Sequence, residues 1–137
     1  MSPDQIEHVH RSWQSIVLMG DAAIQMFYRR LFTIDPSTHA LFSDTDMAEQ
    51  RVKFMDTFGL FVRNIGDLEK NVPMLEELGR RHAAVGVEDH HYDTVREALI
   101  STIQSGLGQL LEDEAREAWE VAYDRITAPM RQAAQSQ

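Results

Sequence analysis

Apolar side chains return every three or four residues from one end of the chain to the other, and no stretch alternates apolar with polar. That spacing draws a stripe along one side of an α-helix, whereas a half-buried strand requires a period of two. One run carries Ile6, Val9, Trp13 and Ile16; the next carries Ile24, Phe27, Tyr28 and Leu31. A long third run holds Phe54, Met55, Phe58, Phe61, Val62 and Ile65, and a short fourth holds Leu75, Leu78 and His82. Tyr92, Val95, Leu99, Ile103 and Leu107 make a fifth, and Ala115, Ala118, Trp119, Ala122, Tyr123 and Ile126 a sixth. These stripes predict one all-α domain of six or seven helices over residues 1–137, without saying which helical fold it is.

The residues between the stripes are helix punctuation. Ser2, Pro3 and Gln5 read as an N-cap, a proline at the first helical position and the return arm of a capping box. Gly20-Asp21 separates the first two helices, and Asp35-Pro36-Ser37 is a turn, with a short helical piece expected from Pro36 to Phe42. Asp46 and Glu49 predict a second capping box, Pro73 opens the fourth helix, and Gly86 is placed to end it. Pro129 is expected to kink or end the last helix. Gly59, inside the long helix, suggests that another backbone passes close there.

The composition excludes several kinds of function. A net charge of −9, from 22 acidic and 13 basic side chains, lacks the basic footprint that nucleic acid or an anionic membrane would need. The chain has no cysteine, which rules out disulfides, thiolate metal sites, cysteine nucleophiles and cofactor attachment through C-x-x-C-H. No apolar run approaches the roughly 18 residues of a membrane span, and no signal peptide opens the chain. A soluble cytoplasmic protein is expected.

Few residues offer chemistry. The carboxylates Glu76-Glu77 and Glu112-Asp113-Glu114 lie on polar faces and read as solvated charge. His90-His91 resembles a metal cue, but neighbouring helical residues point apart, so the two rings are not expected to share an ion. His8 and His10 have no acidic partner at metal-site spacing, and neither a phosphate loop nor a serine elbow occurs. What remains is a set of polar residues on apolar stripes: Tyr28, Gln50 four residues before Phe54, and His82. Each has a plain structural role, as a core tyrosine, a boundary residue, and a cationic helix end beside Arg80 and Arg81. A flat apolar metal cofactor between the long helix and the His82 helix, with His82 as axial ligand, would account for all three. Local pattern leaves both readings open.

The segments Phe27-Tyr-Arg-Arg-Leu-Phe-Thr-Ile-Asp-Pro36, His39-Ala-Leu-Phe42, Glu49-Gln-Arg-Val-Lys-Phe54, Leu78-Gly-Arg-Arg-His82, residues 86–92 and Ala118-Trp-Glu-Val-Ala-Tyr123 follow one another in order. In these residues and their spacing the chain resembles the bacterial single-domain haemoglobins and the globin domain of flavohaemoglobins. The resemblance implies a three-on-three globin fold holding non-covalent haem b. It makes His82 the proximal ligand, its other ring nitrogen donating to a backbone carbonyl. Phe42, Phe54, Leu78 and Tyr92 then contact the haem, and Tyr28 with Gln50 forms the distal pair that hydrogen-bonds dioxygen. Two departures from the family pattern stand out. Phe54 occupies a place where a smaller aliphatic residue is expected, and no Asp or Glu follows Asp124 to serve as the acidic partner of Tyr92.

The implied function is reversible O2 binding, for storage, delivery or scavenging of diatomic gases, with NO and CO as further ligands. The enzymatic rival is nitric oxide dioxygenation. The sequence ends at Gln137 without an FAD- or NAD-binding part, so that rival is expected to use an external reductase. A haem-based gas sensor is the third reading, disfavoured because no transmitter segment follows residue 130.

Overall fold

The computed structural model describes residues 1–107 and 113–135. Helix α1, Pro3–Met19, opens on the anticipated capping box: Gln5 N–H donates to Ser2 Oγ, and Ser2 N–H donates to Gln5 Oε1. Gly20, at φ 70°, closes it and starts α2, Asp21–Ile34. A φ of that sign favours glycine. The short α3 is Ser37–Ala40, narrower than the 36–42 piece expected; turns without continuous helix carry the chain on through residue 44. The reason is local: Asp35 Oδ1 accepts from both the backbone N–H and the hydroxyl of Ser37, which starts a tight turn rather than a long helix.

Helix α4, Met47–Arg63, is capped by Asp46, whose Oδ1 accepts from the Ala48 and Glu49 N–H groups. A 3₁₀ stretch, Ile65–Asn71, follows, broken by Asp67 at φ −147° and ψ 49°. Helix α5, Val72–Ala84, has Pro73 in its first turn, and Gly86, at φ 103°, turns the chain after it. Helices α6, Asp89–Leu107, and α7, Asp113–Gln135, complete the bundle. Among the described residues there is no strand. Of the acidic run 112–114, Glu112 lies outside them.

Helix α7 is the column on which α1, α5 and α6 lean; α2 pairs with α6, and α4 crosses α1 and α2. The core takes one stripe from each long helix: Val9, Ile16, Ile24, Phe27, Phe61, Leu75, Ile103, Trp119 and Ile126 are all essentially inaccessible. Each such side chain contributes roughly 1.5–3 kcal/mol relative to an exposed one. Trp119 lies parallel to Phe58 at 6.4 Å, and Trp13 meets Phe58 edge-on at 5.3 Å.

Two expectations need correcting. Gly59 makes room for side chains, not for a backbone: a Cβ there would stand 3.3 Å from both the Trp13 Nε1 and an Arg63 guanidinium nitrogen. The glycine pressed against a backbone is Gly79, whose Cβ would lie 2.6 Å from Met130 Cα and closer still to the Met130 carbonyl oxygen. Pro129 does not end α7, which runs on to Gln135. Ile126, Met130 and Ala133 are buried on either side of it, and this packing outweighs a helix-interior proline penalty of about 3 kcal/mol.

Candidate functional site

Four of the residues singled out in the sequence converge where α2 meets the start of α4. Tyr28 is 5% exposed on the inner face of α2, and Gln50, in the first turn of α4, donates its Nε2 to the Tyr28 hydroxyl at 3.1 Å. Burial pushes the Tyr28 phenol up to about 12, so it keeps its proton. The Asp46 cap closes this first turn of α4, and a 2.7 Å ion pair from Arg51 to Asp21 ties the start of the helix to α2. The Arg51 hydrogen bond in turn holds the Asp21 carboxyl below its usual range.

Aromatic rings enclose the phenol. Phe42 meets it edge-on at 5.5 Å and Phe54 edge-on at 6.0 Å. Phe54 is itself clamped in a stack, 4.7 Å from Phe27 and 5.3 Å from Phe58, with interplanar angles of 16° and 6°. The unexpectedly large residue at this position is therefore one member of a packed column, and its ring is held in one orientation from both faces.

His82 is half-buried in the last turn of α5, with Nδ1 2.8 Å from the Leu78 carbonyl oxygen. A carbonyl only accepts, so Nδ1 carries the hydrogen and the lone pair sits on Nε2, which has no partner among the described residues. Burial lowers the imidazole's pKa, partly countered by the Leu78 bond. The cationic helix-end reading fails on this point, because burial disfavours the charged ring. Val87 N–H donates to the His82 carbonyl at 2.9 Å and closes the corner beneath it.

Tyr92 is buried in the first turn of α6, and its hydroxyl has no hydrogen-bond partner among the described residues. Tyr123 donates to the Tyr92 carbonyl, and the Arg131 guanidinium lies 5.4 Å above the Tyr92 ring while pairing with Asp89 and Asp93. None of these carboxylates bonds the Tyr92 hydroxyl. The two halves of the site are joined at the corner after α5, where Gly86 approaches Leu41, the neighbour of Phe42; a Cβ on Gly86 would be 3.4 Å from Leu41 Cδ2. Val87 and Val95 were not assigned to the site from sequence. Both are half-buried against the core, Val95 one turn beyond Tyr92. Their only sequence signals are the Gly86-Val87 corner and the stripe shared with Tyr92.

The expectation that His90 and His91 diverge is overturned. Their rings lie 4.1 Å apart, and their Nε2 atoms stand 3.4 and 3.9 Å from the same Asp35 oxygen. The end of α2 approaches the start of α6 here, so one carboxylate reaches two side chains that helical geometry alone would separate. His91 is nonetheless poorly set for an ion. Its Nδ1 accepts from Glu88 N–H at 2.8 Å, which leaves the hydrogen on Nε2, the atom that faces Asp35. Metal-bound histidines have the opposite arrangement, a free Nε2 lone pair and an Nδ1 donor, as His82 does.

The side chains at α2, α4, α5 and the start of α6 fit a haem. They supply one neutral imidazole with a free lone pair, a phenol with an unspent hydrogen, apolar and aromatic surface, an orphaned buried hydroxyl at Tyr92, and no cysteine. Among the described residues, seven α-helices in this order, with a short α3 and α5 and α7 packed together, make an all-α globin fold. The chain belongs to the globin family, whose model, described as "Globin", matches residues 25–130. Among curated relatives it is 31% identical to the "Anaerobic nitrite reductase NSHB5" of Oryza sativa subsp. indica, over 96% of this chain and 94% of that protein. It is 30% identical to the "Flavohemoprotein" of Rhizobium meliloti (strain 1021) over 78% of this chain, but spans only 27% of that longer protein. A bacterial globin from Campylobacter jejuni superposes with a TM-score of 0.85 at 22% identity, covering 98% of this chain and 97% of that one, and supports the fold. With the family comes its general character: a haem protein whose ligands are diatomic gases.

Proposed function

We propose that residues 1–137 form a single globin domain that holds haem b without a covalent link and binds dioxygen reversibly. When bound, the haem supplies the iron at which a diatomic gas is held. His82 offers the Nε2 lone pair to that iron, and the Leu78 carbonyl fixes the ring's orientation. Phe42, Phe54, Leu78 and Tyr92 offer apolar contact to the macrocycle, and Tyr28 and Gln50 face the gas.

One observation carries this reading. Because Gln50 donates to Tyr28, the phenol acts as acceptor on that side, and its own hydrogen bonds nothing among the described residues. A dioxygen held in the site would be offered that hydrogen, and a hydrogen bond from the Tyr28 hydroxyl would slow its departure. The missing acid behind Tyr92 and His82 points the same way. A backbone carbonyl, unlike a carboxylate, leaves the imidazole an ordinary neutral ligand suited to holding dioxygen rather than cleaving it.

A visible spectrum tests the haem assignment. Purified protein, as isolated or with added haem, shows a strong Soret band that is lost or sharply altered in His82→Ala; a protein that takes up no haem refutes it. A second reading is favoured by redox names among the relatives, a nitrite reductase and a flavohemoprotein. In it the chain converts nitric oxide and dioxygen to nitrate, with electrons from an external reductase. NO consumption measured with and without added reductase discriminates the two; negligible turnover in both conditions eliminates the enzyme. No described helix is long and apolar enough to cross a membrane.

A further inference from the structure

Helix α5 carries His82, and three residues earlier Gly79 packs directly against the backbone of α7. A Cβ on Gly79 would lie 2.6 Å from Met130 Cα and 2.7 Å from the Met130 carbonyl carbon. Both are backbone atoms, which no rotamer change can move aside. Any larger residue must therefore push α5 away from α7. Met130 directly follows Pro129, which lies inside α7. Proline has no N–H to bond the Arg125 carbonyl, and its ring crowds that carbonyl, so a helix distorts locally at such a residue. Pro129 thus lies in the very turn of α7 that receives Gly79. Leu78, next to Gly79, supplies the carbonyl that orients His82. Beyond His82, Val85 is 69% exposed, so the end of α5 is not buried from the other side.

We infer that Gly79 and Pro129 together form a spacer that sets the stand-off of His82 from α7, and through it the iron–imidazole bond. Both are positioning residues, and the inference rests on the proposed ligation by His82. Gly79→Ala adds an atom to the contact; Pro129→Ala adds none, restores a helical donor and relaxes the receiving turn. Met130→Ala trims only the side chain and leaves the backbone contact intact.

The test is resonance Raman spectroscopy of the ferrous, ligand-free holoprotein, read at the iron–imidazole stretching band, with CO association followed after flash photolysis. Gly79→Ala and Pro129→Ala each displace the band and change CO association severalfold, while Met130→Ala lowers the melting temperature and leaves the band in place. The double variant departs from the sum of the singles, because both act on one contact. Wild-type bands in the two single variants, even with lowered melting temperatures, reduce the contact to a structural one and overturn the inference. A Met130→Ala shift as large as theirs does the same, since it assigns the effect to the side chain. A wild-type protein without a Soret band overturns the haem reading itself, and this inference with it; a normal Soret band with unmoved variants overturns the inference alone.

Discussion

Gln50 donates its amide to the Tyr28 hydroxyl across 3.1 Å, so the phenol, buried between α2 and α4, receives one hydrogen bond and has its own still to give. The amide orients the hydroxyl, and in the proposed function the hydroxyl is the group that meets a ligand. The two residues are 22 positions apart in the chain and come from different helices.

Tyr28→Phe therefore raises the dioxygen off-rate. A hydrogen bond to a partly charged acceptor is worth about 1.5–3 kcal/mol, which corresponds to roughly a ten- to hundredfold faster release at about 1.4 kcal/mol per decade. Stopped-flow displacement by CO measures it, and an unchanged rate removes Tyr28 from the distal role. Gln50→Leu has a smaller effect in the same direction, because the phenol survives but loses its orienting partner.

Phe54→Leu opens the aromatic column. Two stacked neighbours are lost, and aromatic pairs contribute about 0.5–1.5 kcal/mol each beyond their buried area, so stability falls by about 1–3 kcal/mol in urea titrations. CO association accelerates as the wall beside Tyr28 thins. Slower or unaltered association would show that Phe54 does not limit entry.

Asp46→Ala removes the acceptor for two N–H groups at the start of α4. Such N-caps are worth about 0.5–2 kcal/mol. Because Gln50 lies in that first turn, the loss appears locally as faster amide exchange at residues 48–50, together with a modest rise in the dioxygen off-rate. Exchange confined to other helices would contradict the assignment.

Alkaline titration gives a pH prediction with a definite sign. Burial raises all three tyrosine hydroxyls above the ordinary value of 10, Tyr28 to about 12. Below pH 10 folded and unfolded chains both hold these protons. From about 10 to about 12 the unfolded chain releases them while the folded one retains Tyr28's, so the stability present below 10 drains away as pH rises through that window. Phenolate absorbance then develops together with unfolding; phenolate forming near pH 10 in a still-folded protein would show the hydroxyls to be solvated.

Much of the architecture was legible along the chain. The box at Ser2, the break at Gly20 and the start at Pro73 are read from neighbours within four residues and form as read, whereas of the box expected at Asp46 and Glu49 only the Asp46 cap forms. His82, Tyr28 and Gln50 stood out because a polar residue on an apolar stripe is visible in one dimension. The resemblance added Phe42 and Tyr92. Where the reading failed, the deciding partner lay far along the chain. Gly59 and Gly79 look alike as glycines inside helices, and only the crossing of α7 separates them. His90 and His91 diverge on an isolated helix, yet both reach Asp35, more than fifty residues away in sequence.

The sequence by itself determined the order of the helices and which residues face inward, leaving their number at six or seven, because period and capping depend on backbone geometry within a turn or two. It also determined, through the lack of cysteine, that any cofactor is held without a thiolate. The resemblance already implied a backbone carbonyl behind His82; tertiary structure decided which carbonyl it is, how far the ring is buried, and that Gln50 donates to Tyr28. The Leu78 carbonyl claims one ring nitrogen, burial keeps the ring neutral, and the free lone pair is left on the other. A proton's position depends on everything packed around it, and that surrounding exists only once α5 lies against α7.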